Sequence, residues 1–585
     1  MTNDTRNGSD TRNMILAVVL SALVLLGWGY LSDRFMPANK PNPTQTATKA
    51  APAGAPAAGT AARPDNATNR PTMSRAQAIG SVPRVRIVTP SVEGSLSLQG
   101  PRFDDLRLVR HIGTQERDAV PTRLLSPAGA PGAYFASFGW IGQGVQAPDG
   151  NTIWQASSRE LAPGRPVTLS WTNPTGQRFE IQVAVDDAYL FTITQRVVNA
   201  GTGPVAVRPY GVLSRSGRSA DQDGWTHHVG PMGVFNGAAN YDINYGSLDE
   251  AGPAGEKIAT SGGWLGFTDK YWLTALAPAG DTRFDATLRK GATGSYLTEY
   301  EMAPKVVDPG QAVTSTTHLF AGAKEKQILD RYEASGSVPN IARSIDWGWF
   351  RWVMLPIFSL LLWLFHTLGN FGFAIIALTF IVRLIMYPIF DRQFRSMAAM
   401  RAVQPKMKEL QERHKDDRTK MQQELLELYK REKINPAAGC LPIFLQIPVF
   451  YALYKVLTVT VEMRHQPFVG WLKDLSAPDP LTPVNLFGLL PFDPPGLLHL
   501  GVLPILLGIT MWLQFRLNPA PMDEVQKQIF SIMPWVMMFA MAPFAAGLQL
   551  YWVVSNLLGI AQQKYLYSKY DAEKIAARQG AVVKT

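Results

Sequence analysis

Long uncharged apolar runs constrain this chain more than any other feature, because a backbone in lipid must satisfy its own hydrogen bonds as helix or closed barrel. Residues 14–31 form an unbroken apolar run of 18, enough for about 27 Å of helix. Further apolar blocks cover residues 352–390, 441–461, 497–515 and 529–561. The first of these is too long for one span and divides at Gly369-Asn370. Its opening part, from about Trp347, mixes Trp349, Trp352 and Trp363 with Arg351 and His366, which suits a helix lying at the membrane interface. Its closing part, residues 371–390, reads as a true span. The last block breaks at residues 542–547, where Pro543 and Gly547 permit a tight turn. Six transmembrane helices are therefore expected, over about 14–31, 371–390, 441–461, 497–515, 529–544 and 547–563.

Charge sets their orientation. Residues 391–439 hold twelve Lys and Arg, whereas 462–496 hold only Arg464 and Lys473. The tail, 564–585, adds Lys564, Lys569, Lys574, Arg578 and Lys584. The positive-inside rule puts these basic segments, and with an even number of spans both termini, in the cytoplasm. Residues 1–13 are then a cytoplasmic leader to the first span. Tyr30, Asp33, Arg34 and Phe35 follow that span in place of a small-residue cleavage site, which favours an uncleaved anchor over a signal peptide.

Two soluble regions remain. Residues 37–80 are rich in Pro, Ala, Thr, Asn and Gly and read as a disordered linker. Residues 81–335 alternate short β-type runs with Gly, Pro and Asn turns, predicting a large all-β sandwich on the periplasmic side. His227-His228 with Asp221 and Asp223 is a weak metal candidate, because adjacent strand side chains point to opposite faces. The single cysteine, Cys440, rules out an intramolecular disulfide. The cytoplasmic segment 391–439 predicts a helical hairpin of 392–414 and 418–432. Met421, Leu425 and Leu428 face Met397, Met400, Met407 and Leu410 there, as a two-helix seam or as a deformable surface for apolar clients.

Arg383 stands inside the span, about 20 Å along the helix from Asn370. A guanidinium there is costly and faces a wet cavity or a partner. No acidic residue in another span offers an ion pair, which favours water. Thr379, Gln446, Lys455, Gln549, Ser555 and Asn556 are further polar groups within spans, able together to line a hydrophilic groove. Leu507 reads as lipid-facing. The last two helices are short, about 24 and 21 Å by rise, so a locally thinned bilayer is expected.

Residues 372–388 (GFAIIALTFIVRLIMYP), Gln404-Pro405-Lys406, 433–440 (KINPAAGC), 441–449 and 547–556 (GLQLYWVVSN) carry a resemblance. At these positions the chain resembles the YidC–Oxa family of membrane insertases, in the branch found in Gram-negative bacteria. The resemblance implies a five-helix insertase core over 371–563, preceded by an interfacial helix within 345–370. To that core this branch adds an N-terminal anchor and a periplasmic β-supersandwich. It implies insertion and folding of inner-membrane proteins, alone or with the Sec translocon, through a groove open to cytoplasm and lipid. The implied groove residues are Arg383, Thr379, Gln446, Tyr551, Trp552, Ser555 and Asn556, and Trp552 stands where many relatives have tyrosine. Implied partners are nascent membrane-protein substrates, the Sec translocon, the translating ribosome and membrane lipids, with Met397, Met400, Met407 and Met421 meeting clients or ribosome. No cofactor, metal or enzymatic activity is implied. A transporter would need inverted repeats, which the spans lack. An envelope enzyme would need paired carboxylates or a nucleophile in a cleft.

Overall fold

The computed structural model describes residues 73–113, 120–221, 227–291, 294–348, 350–414, 417–431, 441–487, 489–490, 492, 500–517 and 524–570. The first apolar run, most of the linker, Asp223, Cys440 and the end of the tail lie outside the described residues. The linker expected to reach Gly80 ends sooner. Residues Arg75–Gly80 form helix α1, because Ser74 and Gln77 cap each other's backbone in a reciprocal capping box.

Among the described residues from Arg84 to Ala323 the chain is β-structure, with a short helix, α2 (Tyr245–Ala251), and the 3-10 turn Gly252–Ala254 between strands. An eleven-stranded sheet runs in the order Glu256–Ser261, Arg283–Lys290, Ser295–Met302, Val205–Ser216, Tyr134–Gln143, Arg102–Ile112, Val92–Ser97, Arg84–Val88, Glu160–Leu161, with two short strands paired off this path. A nine-stranded sheet faces it, with Ala312–Ala323 and Leu190–Asn199 near its centre. Strand Gln177–Val185 buries every second residue, the period that turns one face to the core. Aromatic rings join the layers: Phe103 meets Phe191 edge-on at 5.2 Å and Trp140 meets Phe179 at 5.2 Å. Polar ties do the same, since Tyr300 Oη and Thr317 Oγ1 lie 2.6 Å apart and Gln195 Nε2 donates to the Gly139 carbonyl at 2.8 Å. Each fully buried large side chain contributes about 1.5–3 kcal/mol.

The domain is joined to the helical region by more than chain continuity. Glu325 Oε1 accepts from Tyr189 Oη at 2.6 Å and pairs with Arg110 at 3.0 Å. The next backbone N–H, of Lys326 at the start of α3 (Lys326–Ala334), donates to Glu462 Oε1 at 2.9 Å. Burial lifts the Glu462 carboxyl to about 7. Arg464 donates to the carbonyls of Ile112 at 2.6 Å and Gly113 at 3.1 Å, and lies 5.2 Å over the Trp272 ring.

Helices dominate from Arg351 onward: α4 (Arg351–Leu368), α5 (Phe371–Ile385), α6 (Tyr387–Arg413), α7 (Arg418–Arg431), α8 (Leu441–Val459), α9 (Val502–Leu517), α10 (Glu524–Met541) and α11 (Ala546–Lys569). Gly369 ends α4 at φ 70°, and Asn370 caps α5 by accepting from the N–H groups of Gly372 and Phe373. Gln549 Nε2 clamps the α10–α11 turn by donating to the carbonyls of Met541 and Phe544, each at 2.8 Å. That role, not groove lining, accounts for its place in a span.

Among the described residues only α4 is by itself long and apolar enough to cross a bilayer. Helix α5 passes the same test jointly with residues Tyr387–Arg395, at a bend of 54°. Residues Gln446–Val459, Val502–Leu517 and Gln528–Met541 are shorter apolar helices. The expected span over 371–390 therefore breaks at Met386, where Pro388 opens a new helix within its first turn. Helix α4 has the length of a span where an interfacial helix is expected, because a hydropathy sum counts aromatic residues without weighing their preference for the interface. Leu507 is fully buried, whereas Ile509 on the same helix is 45% exposed.

Candidate functional site

Arg383 lies in the last turn of α5, where unsatisfied carbonyls favour a cation. Its Nη2 reaches across to α11, donating to the Ser555 carbonyl at 2.7 Å and to Ser555 Oγ at 2.9 Å. Nη1 lies 3.4 Å from Gln562 Oε1, and the guanidinium sits 5.2 Å over the Phe390 ring. Among the described residues no carboxylate pairs with it. The positive charge is thus held by neutral dipoles and is not cancelled. It is also held by protein, where sequence reasoning favoured water.

Gly559 makes that contact possible. A Cβ there would lie 3.1 Å from Arg383 Nη2 and 3.2 Å from Gln514 Nε2, tighter than side-chain packing tolerates without movement. Gly559→Leu should therefore push the guanidinium off Ser555 and lower insertion activity about tenfold, close to the loss in Arg383→Ala. Complementation of a depletion strain checks this, and full activity would mean that the arginine works from another position.

One turn toward the other end of α11, the buried Tyr551 hydroxyl accepts from Gln446 Nε2 on α8 at 2.7 Å. Tyr551, Ser555, Gly559 and Gln562 follow at helical spacing, so one face of α11 carries a polar column about 16 Å long. Arg383 and Gln446, each half-buried, meet it from α5 and α8. Phe380, Leu384 and Ile385 beside Arg383 are exposed, so apolar surface flanks the polar column. Gln562, Gly559 and Gln514 escaped sequence reasoning. The spacing of Ser555, Gly559 and Gln562 was the available signal.

The remaining expected site residues divide. Trp552 packs on Phe450 of α8 with ring centroids 4.7 Å apart. Thr379 is buried and bonds the Ile375 carbonyl of its own helix at 2.6 Å. Asn556 turns toward α9, donating to Thr510 Oγ1 at 3.1 Å. Lys455 is 1% exposed and belongs elsewhere, donating to the Asp346 carbonyl at 2.7 Å with the Asp346 carboxylate 3.4 Å away. In the hairpin, Met407 packs with Val403 and Leu428 in the seam between α6 and α7. Met421 is half-buried. Met397 and Met400 lie on α6, with side chains outside the described residues.

A cavity of about 570 Å³ in the β domain is lined by Lys257, Asp285, Arg289, Glu299 and Glu301 among others. Glu299 pairs with Arg289 at 3.0 Å and Glu301 with Arg208 at 2.9 Å. Carboxylates tied to arginine are poor general acids. His228 bonds the Pro231 carbonyl and Asp221 accepts from the Lys270 N–H, and among the described residues no group of three or more potential ligands could hold a metal ion.

Two family models match the chain. The 60Kd inner membrane protein family covers residues 363–574 and the YidC periplasmic domain covers residues 84–360. The chain is 45% identical over 561 residues to the membrane protein insertase YidC of Zymomonas mobilis subsp. mobilis, with 96% of each chain covered. It is 43% identical over 599 residues to the insertase of that name from Methylorubrum extorquens, covering 97% of this chain and 96% of the other. Among solved structures, a crystal structure of an active YidC insertase matches at a TM-score of 0.36 and 18% identity, over 82% of this chain and 92% of that one.

Proposed function

The chain belongs to the YidC family of membrane protein insertases, with a β-rich periplasmic domain and a helical inner-membrane region, and on that premise we propose how its helices pass a client into the bilayer. It is an insertase for inner-membrane proteins and not an enzyme. The polar flank of a client helix travels along the α11 column formed by Tyr551 and Ser555, opposite Arg383 and Gln446, while its apolar side stays in lipid. Bare polar groups cost several kcal/mol each in hydrocarbon, and a line of donors and acceptors along the path lowers that barrier. The observation that carries this reading is the uncancelled guanidinium of Arg383, held by Ser555 beside exposed apolar surface.

In this arrangement α5, α8, α9, α10 and α11 cross the membrane, residues 14–31 add a sixth span, and both termini are cytoplasmic. Helix α4 lies at the outer interface despite its length. Its beginning is tied through Asp346 to Lys455 near the end of α8, and its end through Asn370 Nδ2 to the Phe468 carbonyl in the loop after α8, at 3.1 Å. Attachment of both ends to one side of the bilayer supports that placement. The basic hairpin of α6 and α7 then stands at the cytoplasmic mouth, where the ribosome and the emerging nascent chain arrive. The Sec translocon is the further partner for clients with large translocated segments.

Photo-crosslinkers at Gln446 and Trp552 test the path. Both should capture a stalled nascent chain bearing a short transmembrane segment, and Ile509, on the outward face of α9, should capture it several-fold less. Capture should begin only once the segment has cleared the ribosome. Silence at both positions with several unrelated clients, or solute flux in proteoliposomes without adducts, would overturn the proposed path.

A further inference from the structure

The loop between α8 and α9 presents an apolar surface that neither the groove nor the β domain uses. Residues 480–492 contain no charged side chain. Val484, Leu486, Phe487, Leu489, Leu490 and Phe492 are all exposed, Leu489 at 82%. Contiguous apolar exposure of this kind marks an interaction surface. Leu486 and Phe487 hold φ of 51° and 58°, a left-handed conformation that costs energy for any residue with a side chain. Two large side chains thus occupy positions where an ordinary turn would carry Gly or Asn.

The backbone of this loop is equipped to leave water. The Val484 N–H donates to Thr482 Oγ1 at 3.3 Å. The N–H groups of Leu486, Phe487, Leu489, Leu490 and Phe492 donate to the carbonyls of Pro483, Thr482, Leu486, Asn485 and Leu490, at 2.9–3.3 Å. Donors satisfied within the segment lower the penalty that keeps irregular backbone out of lipid.

The loop also stands where lipid is to be met. It leaves and returns at the beginning of α9, where the Val502 N–H bonds the Leu481 carbonyl at 3.0 Å. Asp479 holds that junction, its Oδ2 accepting from the Leu503 N–H at 2.7 Å and its Oδ1 from Trp471 Nε1 at 3.0 Å. Helix α9 has 16 residues, about 24 Å, against a hydrocarbon core of about 30 Å. The loop stands at one end of this short helix. We infer that Val484, Leu486, Phe487, Leu489, Leu490 and Phe492 insert among the acyl chains of outer-leaflet phospholipid and supply the apolar depth that α9 lacks. This inference rests on the reading of α9 as a span.

The full chain carrying Cys440→Ser and Leu489→Cys, labelled with an environment-sensitive fluorophore, tests this in nanodiscs. Phospholipid brominated along its acyl chains should quench the label about twofold, as for a probe ~5–10 Å below the headgroup boundary. A label at Phe487→Cys should behave alike, and one at Val306→Cys on the β domain should be unaffected. Water-like, unquenched emission at both loop positions would overturn the inference. Blue-shifted emission insensitive to brominated lipid would also overturn it, because protein then covers the loop. A label at Ile509→Cys separates the two readings. Quenching there without quenching in the loop removes only the loop's seating, whereas no quenching at either removes α9 as a span.

Discussion

Arg383→Glu should abolish growth support in a depletion strain, whereas Arg383→Lys should keep most of it and Arg383→Ala should fall between. The guanidinium is held by the Ser555 carbonyl and hydroxyl and by Gln562, so its charge remains available to an approaching client carboxylate. At an effective dielectric near 20, two charges 4 Å apart attract by about 4 kcal/mol. Alanine forfeits that attraction along with the tie to α11, where hydrogen bonds to a charged donor are worth about 1.5–3 kcal/mol each. Glutamate goes further, since it repels acidic client tails and turns a carboxylate toward the Ser555 carbonyl. Lysine keeps the charge but not the planar fork that reaches two acceptors of one residue, so some loss is expected even there. Growth at graded expression levels, with membrane abundance measured in parallel, checks the order. Equal support by the Lys and Glu variants would show that the charge is dispensable.

Much of this arrangement was legible in the sequence, and the gaps have physical causes. Hydropathy locates apolar helices because lipid leaves the backbone few alternatives, and α8 through α11 overlap the apolar blocks, although α11, at 24 residues, is far longer than the short helix the pattern implies. It says nothing about helix direction, so the bend at Met386 was invisible inside a run that stays apolar to Phe390. Arg383 stood out because charge in a span is costly. Its partner did not, because a backbone carbonyl has no signature and the space at Gly559 exists only once α5 and α11 are packed. Lys455, Gln549 and Asn556 look equivalent to Gln446 as polar groups in apolar runs. Packing separates them: one pairs with Asp346 outside any span, one clamps a turn, and one bonds Thr510 on α9. The β domain shows the same division. Alternation in residues 177–185 reveals a half-buried strand, but the pairing of Arg84–Val88 with Glu160–Leu161 across more than seventy residues follows from the assembled sheets alone.

Removal of residues 345–358 should abolish function, whereas removal of residues 85–316 should leave growth support largely intact. The polar column and the side chains described as hydrogen-bonded to it lie from Arg383 onward. The β domain meets the helical region away from that column, at Glu462 and Arg464 and at the Arg343 and Ser344 carbonyls. Its loss deprives Arg464 of the Ile112 and Gly113 carbonyls and of the Trp272 ring, contacts made at a partly exposed surface and worth a modest amount of stability. Loss of residues 345–358 strikes the helical core itself. It removes Asp346 and leaves the Lys455 ammonium buried with its counter-charge gone, a defect of about 3–5 kcal/mol. It also removes Trp347, Met354 and Phe358, all buried against the core, and with them the start of the helix that packs on α5 and α8. The α5–α8 geometry that brings Arg383 and Gln446 to one face of α11 should not survive both losses. Complementation together with membrane abundance of each deletion separates failure to insert clients from failure to accumulate. An inactive 85–316 deletion that is stable and membrane-inserted would place an essential step of insertion on the periplasmic side.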